Sequence, residues 1–140
     1  LTSDEKTLIP SLIAYIRSDL FTLDNISSSV KLSQDEAALA DDDLNAKQWM
    51  SVISYLPLDF FRLIESFPDM YTVEKFDLKY AENPKLCAFD RYGLTNMWRP
   101  LMILNRCPSI TKFNFEFIRY YNIEKFTQVL SVLIARCQSS

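Results

Sequence analysis

Residues 71–121 read YTVEKFDLKYAENPKLCAFDRYGLTNMWRPLMILNRCPSITKFNFEFIRYY. Tyr71-Thr72-Val73, with Phe76, Leu78 and Tyr80 after them, is short strand material, because β-branched and aromatic side chains suit a pleated, half-buried surface. Asn83-Pro84 is a turn and helix-start signal, and the stretch from Pro84 through Leu86, Cys87, Ala88 and Phe89 to Tyr92 predicts a helix that Gly93 stops in the left-handed conformation. Thr95 or Asn96 is placed to cap a second helix with Trp98, Leu101, Met102 and Leu104 as its buried stripe, ending near Asn105 and Cys107-Pro108. Pro100 lies close enough to its start to be tolerated. Phe113, Phe115 and Phe117 then alternate with Asn114 and Glu116, the period of a half-buried strand running on to Tyr120 and Tyr121, with a change of face at Ile118. The predicted order over 71–121 is strand, helix, helix, strand.

Outward from this stretch the chain reads as helical. Asn122 is a cap for a last helix with Ile123, Phe126, Val129, Leu130, Leu133 and Cys137 on one side and Arg136 near its negative end. On the N-terminal side, Leu8, Ile9, Leu12, Ile13, Ile16 and Leu20 recur at three- and four-residue spacing and predict a helix over about 10–20. Residues 22–34 are polar and Ser-rich and read as a mobile connection. Ser33 and Glu36 form a capping box ahead of Ala37, Ala38 and Leu39, where a short helix is expected to start and to continue, either unbroken or broken at Asp41 to Asp43, through Trp49, Met50, Ile53 and Leu56. Phe60, Phe61, Leu63, Ile64 and Phe67 make another apolar stripe between Pro57 and Pro68. The fold class expected is α+β, mostly helical.

Composition removes several function classes from these 140 residues. There is no histidine, which excludes Ser-His-Asp and Cys-His triads, imidazole acid–base chemistry and most zinc sites. A single glycine excludes a GxxxxGKS phosphate loop and a GxGxxG turn. Cys87, Cys107 and Cys137 form no CxxC unit and cannot all pair within one chain, so a reducing compartment is the simpler expectation. No apolar run reaches the roughly 18–20 residues of a membrane span. No export signal is apparent, and the start at Leu1 reads as processed or trimmed. Asp41, Asp42 and Asp43 lack the wider set of oxygen ligands and the glycine turn of a calcium loop, so they read as a solvated acidic turn. Neither a metal nor another cofactor is expected.

Net charge is −3, unevenly distributed: residues 1–78 carry six Lys/Arg against fourteen Asp/Glu, and residues 79–140 carry nine against four. This asymmetry suits either head-to-tail contacts in an assembly or an attraction between the two parts of one chain. It does not suit nucleic acid, for which a net basic domain is expected.

Tyr71-Thr72-Val73, Ala88 with Tyr92-Gly93, Leu101, Leu104-Asn105 and Pro108-Ser109-Ile110 resemble a LysM module, a family with the same strand-helix-helix-strand order. The link after Val73 is longer than in that family and lacks its Gly-Asp-Thr turn, which weighs against the usual glycan site. A resemblance covering more of the chain rests on Asp90-Arg91-Tyr92-Gly93, on Met97-Trp98-Arg99-Pro100-Leu101-Met102-Ile103-Leu104-Asn105, and on Tyr121-Asn122-Ile123-Glu124-Lys125-Phe126. These residues resemble the LysM-like baseplate wedge subunit of contractile-tailed bacteriophages. Met97 stands where that family carries the first of two aromatics, and Arg99-Pro100 interrupts a run that is usually apolar.

The resemblance implies a helical N-terminal segment over 1–70, either a docking arm or part of the same domain, and a LysM-like module with a C-terminal helix over 71–140. It implies a structural virion protein of the tail baseplate, assembled in the host cytoplasm. Such a subunit would clamp neighbouring wedge components, with other wedge and hub proteins as partners and several symmetric copies in the particle. Neither nucleic acid nor membrane is an expected partner. Assembly interfaces favour aromatics and arginine, so Trp98, Arg99, Arg119, Tyr120 and Tyr121 are the contact candidates. Trp98 has a core reading as well, and of Tyr120 and Tyr121 one is expected to face outward. The alternative is a module that binds peptidoglycan or chitin through the loops at about 80–84 and 106–111. An enzyme is not expected, because it would have to work with carboxylates, Cys87, Cys107, Cys137 or a lysine and no histidine, whereas activated nucleophiles usually come with a recognisable base partner.

Overall fold

The computed structural model describes residues 11–22 and 56–139, with side chains to Cys137. Its regular elements are α1 (Leu12–Arg17), α2 (Leu58–Glu65), β1 (Tyr71–Lys75), α3 (Pro84–Tyr92), α4 (Trp98–Leu104), β2 (Phe117–Tyr121) and α5 (Ile123–Ser139), linked by short 3-10 turns. The fold is α+β, and β1 and β2 form a two-stranded antiparallel sheet in which Tyr71 faces Tyr121, Val73 faces Arg119 and Lys75 faces Phe117. The capping box at Ser33 and Glu36, the helix through Trp49 to Ile53 and the triplet Asp41 to Asp43 lie outside the described residues.

Local chemistry accounts for the element ends. Pro84 occupies the first turn of α3, where a missing N–H costs nothing, and the Asn83 Oδ1 accepts from the Leu86 N–H at 3.2 Å. Gly93 closes the helix at φ 76°, a conformation that a Cβ would strain. Asn122 caps α5 through its Oδ1, which accepts from the Lys125 N–H at 3.2 Å. Its own N–H donates to the Met70 carbonyl at 2.8 Å, which ties the helix start to the beginning of β1.

Three predicted boundaries are corrected. The strand expected to continue to Tyr80 ends at Lys75, because residues 78–80 turn into a 3-10 helix that the Asp77 side chain caps. The strand expected from Phe113 begins at Phe117. Phe113 follows a 3-10 turn, and its carbonyl accepts from the Glu82 N–H at 2.7 Å instead of joining the ladder. Neither Thr95 nor Asn96 caps α4. They belong to a 3-10 turn over Thr95–Met97 that runs directly into the helix without a side-chain cap. Pro100 is the third residue of α4, where its missing N–H would be unpaired in any case.

One core joins the described segments. Leu12 and Ile16 of α1, Phe60 and Ile64 of α2, Leu101 and Leu104 of α4, and Phe126 and Leu133 of α5 are all fully or nearly fully buried in it. Each such side chain contributes about 1.5–3 kcal/mol relative to exposure. α1 is shorter than the predicted 10–20. The Ser18 Oγ donates to the Tyr15 carbonyl at 2.6 Å, and the Arg136 guanidinium donates to the carbonyls of Ile16, Ser18 and Phe21. A side chain from α5 thus takes acceptors that further turns of helix would have used.

The acidic and basic parts of the sequence meet inside this fold. Glu65 pairs with Arg106 at 2.9 Å, Asp69 with Lys125 at 3.5 Å, and Glu74 with Arg91. The charge asymmetry is therefore used in part to join residues before 78 to residues after it.

Candidate interaction surface

Alternation along β2 sends Ile118 and Tyr120 to one face of the sheet and Phe117, Arg119 and Tyr121 to the other. Both faces are covered at the Tyr121 end. Tyr120 is 6% exposed and packs on α3: its Oη lies 3.3 Å from the Cys87 Sγ, its ring meets Tyr92 edge-on, and the Arg91 guanidinium sits 4.3 Å from its centroid. Tyr121 is 2% exposed, donates its Oη hydrogen to the Pro100 carbonyl at 2.9 Å and packs on Phe126. The expectation that one of these tyrosines faces outward is therefore corrected, and neither is a contact residue. Each face of the strand has its own covering element, so opposite side chains are both interior.

Trp98 is half-buried at the start of α4, with the Lys85 Nζ 5.4 Å from its ring centroid, and Arg99 beside it is exposed. Arg119 lies elsewhere, on the outer part of the sheet with its guanidinium 5.0 Å from the Tyr71 ring centroid. The structure does not bring Trp98 and Arg119 into one site.

What surrounds Arg119 is a cleft of about 350 Å³ lined by Val73, Asn105, Arg106, Phe115, Phe117 and Arg119. Val73 is 60% exposed and Phe117 58%, so two apolar side chains and two guanidinium groups share an open surface. Asn105 makes the cleft rigid: its Nδ2 donates to the carbonyls of Leu101 and Arg119, both at 2.9 Å, and its Oδ1 accepts from the Arg119 N–H at 2.7 Å. It therefore occupies the outer edge of β2 as a neighbouring strand would. Arg106 is held at the rim by Glu65, whose other carboxylate oxygen accepts from the Arg62 Nη1 at 2.8 Å. Sequence reasoning found Arg119 but missed Val73, Asn105, Arg106 and Phe117. The phase change at Ile118 was the signal that Phe117 leaves the face of its buried neighbour.

The loops at about 80–84 and 106–111 meet at Phe113, which bonds to Glu82 of one and Ile110 of the other, and Arg106 of the second loop also lines the cleft. Phe76, Phe113 and Phe115 pack edge-to-face beneath them with centroids 5.1–5.6 Å apart, and Glu82 and Arg106 carry φ values of 57° and 53°. This triad joins the link after β1 to the link before β2.

Burial raises the thiol pKa of Cys87, which Tyr120 partly offsets, and burial raises that of Cys137, with Arg136 opposing. The Cys107 Sγ donates to the Ser109 carbonyl at 3.1 Å. These are the settings of inert thiols. Alkylation of native protein is expected to be slow at all three positions, and at Cys87 at least about tenfold slower than in denaturant, since that thiol reacts only when the fold opens. Mass spectrometry of timed labelling checks this, and rapid native labelling of Cys87 would contradict it.

Among the described residues no group of three or more Cys, Asp or Glu side chains is arranged to hold a metal ion, and no helix is long and apolar enough to cross a membrane. No protein-family model matches the chain, and neither the curated proteins nor the solved structures contain a match to it.

Proposed function

We propose that this chain is a structural subunit of a contractile phage-tail baseplate, a wedge component built on a LysM-like module that holds neighbouring wedge proteins together. The observation that carries the reading is the open cleft at Val73, Phe117, Arg106 and Arg119, beside a β-α-α-β arrangement whose buried tyrosines are committed to the core. Exposed apolar side chains next to arginine are the composition of a protein interface. Arg99 and Trp98 offer a second, separate contact region under the same proposal, whereas Tyr120 and Tyr121 act through the interior.

The test is co-expression with the wedge and hub proteins of the same particle. Wild-type chain is expected to co-purify in a complex, and Phe117→Asp, placed on an exposed side chain, is expected to leave the fold intact and weaken capture by at least about tenfold, as for a desolvated interface anchor. Unchanged capture of Phe117→Asp would remove the cleft from the interface. Saturable pelleting of the wild type with peptidoglycan or chitin, competed by soluble N-acetylglucosamine oligomers, would replace the assembly reading with that of a glycan-binding module.

A further inference from the structure

The two outer edges of the sheet are treated differently. In an antiparallel pair, alternate residues direct their N–H and C=O groups to the partner and the others direct them outward. The Asn122 N–H bonds to the Met70 carbonyl and the Phe76 N–H to the Glu116 carbonyl, which continues the paired phase through Thr72 with Tyr120 and Glu74 with Ile118. The outward groups therefore belong to Tyr71, Val73 and Lys75 on β1, and to Phe117, Arg119 and Tyr121 on β2. On β2 the Arg119 groups are satisfied by Asn105, and the Tyr121 N–H donates to the Tyr92 Oη at 2.8 Å. On β1 the outward groups of Tyr71, Val73 and Lys75 meet no hydrogen-bond partner among the described residues. An edge of this kind is a template for another strand.

We infer that β1 pairs with β1 of a second copy of this chain, antiparallel about a two-fold axis at Val73, to give a continuous four-stranded sheet. The hydrogen-bond phase limits the register, because outward residues must face outward residues. With Val73 against Val73 of the second copy, Tyr71 faces Lys75 and Lys75 faces Tyr71, so all three outward residues of each copy are used. Thr72 then faces Glu74. No like charges stand opposite, Lys75 meets an aromatic ring, and the exposed Val73 is covered by its own copy, a complementarity that favours the pairing. Five-residue edges bury less than the roughly 1,600 Å² of a standard stable interface, so the dimer is weak and forms with rising concentration. The inference concerns the backbone edge of β1 and does not depend on the assembly reading of the cleft.

The experiment is sedimentation of the purified full chain alone over a wide concentration range. The average mass is expected to rise from 16.4 kDa toward twice that value. Because the axis sets position 73 against itself, Val73→Lys and Val73→Glu are each expected to weaken self-association by roughly tenfold, and their equimolar mixture is expected to restore it. Val73→Pro, which removes an outward N–H without touching a β1–β2 bond, is expected to abolish it while circular dichroism stays that of the wild type. A mass independent of concentration would overturn the inference. So would a dimer that survives Val73→Pro, or a charge mixture that associates no better than its parts. Protection of the Val73 amide from hydrogen exchange only on adding a different protein would assign the edge to that protein and overturn pairing with a second copy.

Discussion

Stability is expected to fall steeply above about pH 10, because several buried groups hold protons that the unfolded chain releases. Tyr92, Tyr120 and Tyr121 all have pKa values raised above the ordinary phenol value, chiefly by burial. Cys87 is raised by the same cause. A group whose pKa is higher in the folded state binds more protons there than in the unfolded chain, so its contribution is fully present below the unfolded value and is lost as pH rises toward the folded one. The decline begins near pH 8.5, where free thiols titrate, and steepens near pH 10, where free phenols do. Three tyrosines protected together give a slope of about 4 kcal/mol per pH unit, against a total of about 5–15 kcal/mol for a domain of this size. Denaturant titrations at stepped pH, followed by circular dichroism and by tyrosinate absorbance, check this. Tyrosinate is expected to appear in two stages, exposed phenols first and buried ones only with unfolding. A single smooth titration near pH 10 with unchanged stability would show that the buried phenols are open to solvent.

Replacing Arg136 by alanine is expected to destabilise the protein by about 3 kcal/mol, since one guanidinium satisfies three carbonyls near the end of α1. The acceptors are Ile16, Ser18 and Phe21, the last at 3.0 Å, and the guanidinium also lies 5.5 Å from the Phe21 ring centroid. Removing it leaves those oxygens without their charged donor and loosens the contact between α1 and α5. Arg136→Lys is expected to recover less than half of the loss, because a point ammonium cannot reproduce a planar fork of donors. The checks are the denaturation midpoint and limited proteolysis, with new cleavage at residues 18–22 in the alanine variant. Equal stability of the lysine variant and the wild type would reduce the role of Arg136 to its charge at the helix end.

Much of residues 71–139 was legible in the linear chain because its signals are local. Asn83-Pro84, Gly93 and Asn122 act on their own backbone within one turn, and the three-and-four spacing of Phe126, Val129, Leu130 and Leu133 states which side of α5 is buried wherever that helix docks. The same locality explains the errors. Phe113 and Phe115 alternate as a strand does, yet the Phe113 carbonyl goes to Glu82, thirty-one residues away. Thr95 and Asn96 are good caps by type but fall one turn early. The candidate surface was the least legible. Arg119 is legible as a surface candidate, whereas one of Tyr120 and Tyr121 is expected outward only because a strand is taken to have one dry face, and the fold buries both. Val73, Asn105 and Arg106 carry no sequence signal for the cleft they line, and the change of face at Ile118 marks Phe117 without showing what it lines.

By itself the amino-acid sequence determined the α+β class, the strand-helix-helix-strand order, the apolar sides of α4 and α5 and the exclusion of histidine chemistry. All of these depend on residue type and short-range periodicity, where the backbone competes only with its neighbours. Tertiary structure alone decided that both faces of β2 are covered at the Tyr121 end, that Asn105 closes one sheet edge while the other, on β1, meets no partner among the described residues, and that Arg136 ends α1 from about 120 residues away. Burial and hydrogen-bond satisfaction are properties of what arrives from elsewhere in the chain, and no local pattern encodes the arrival.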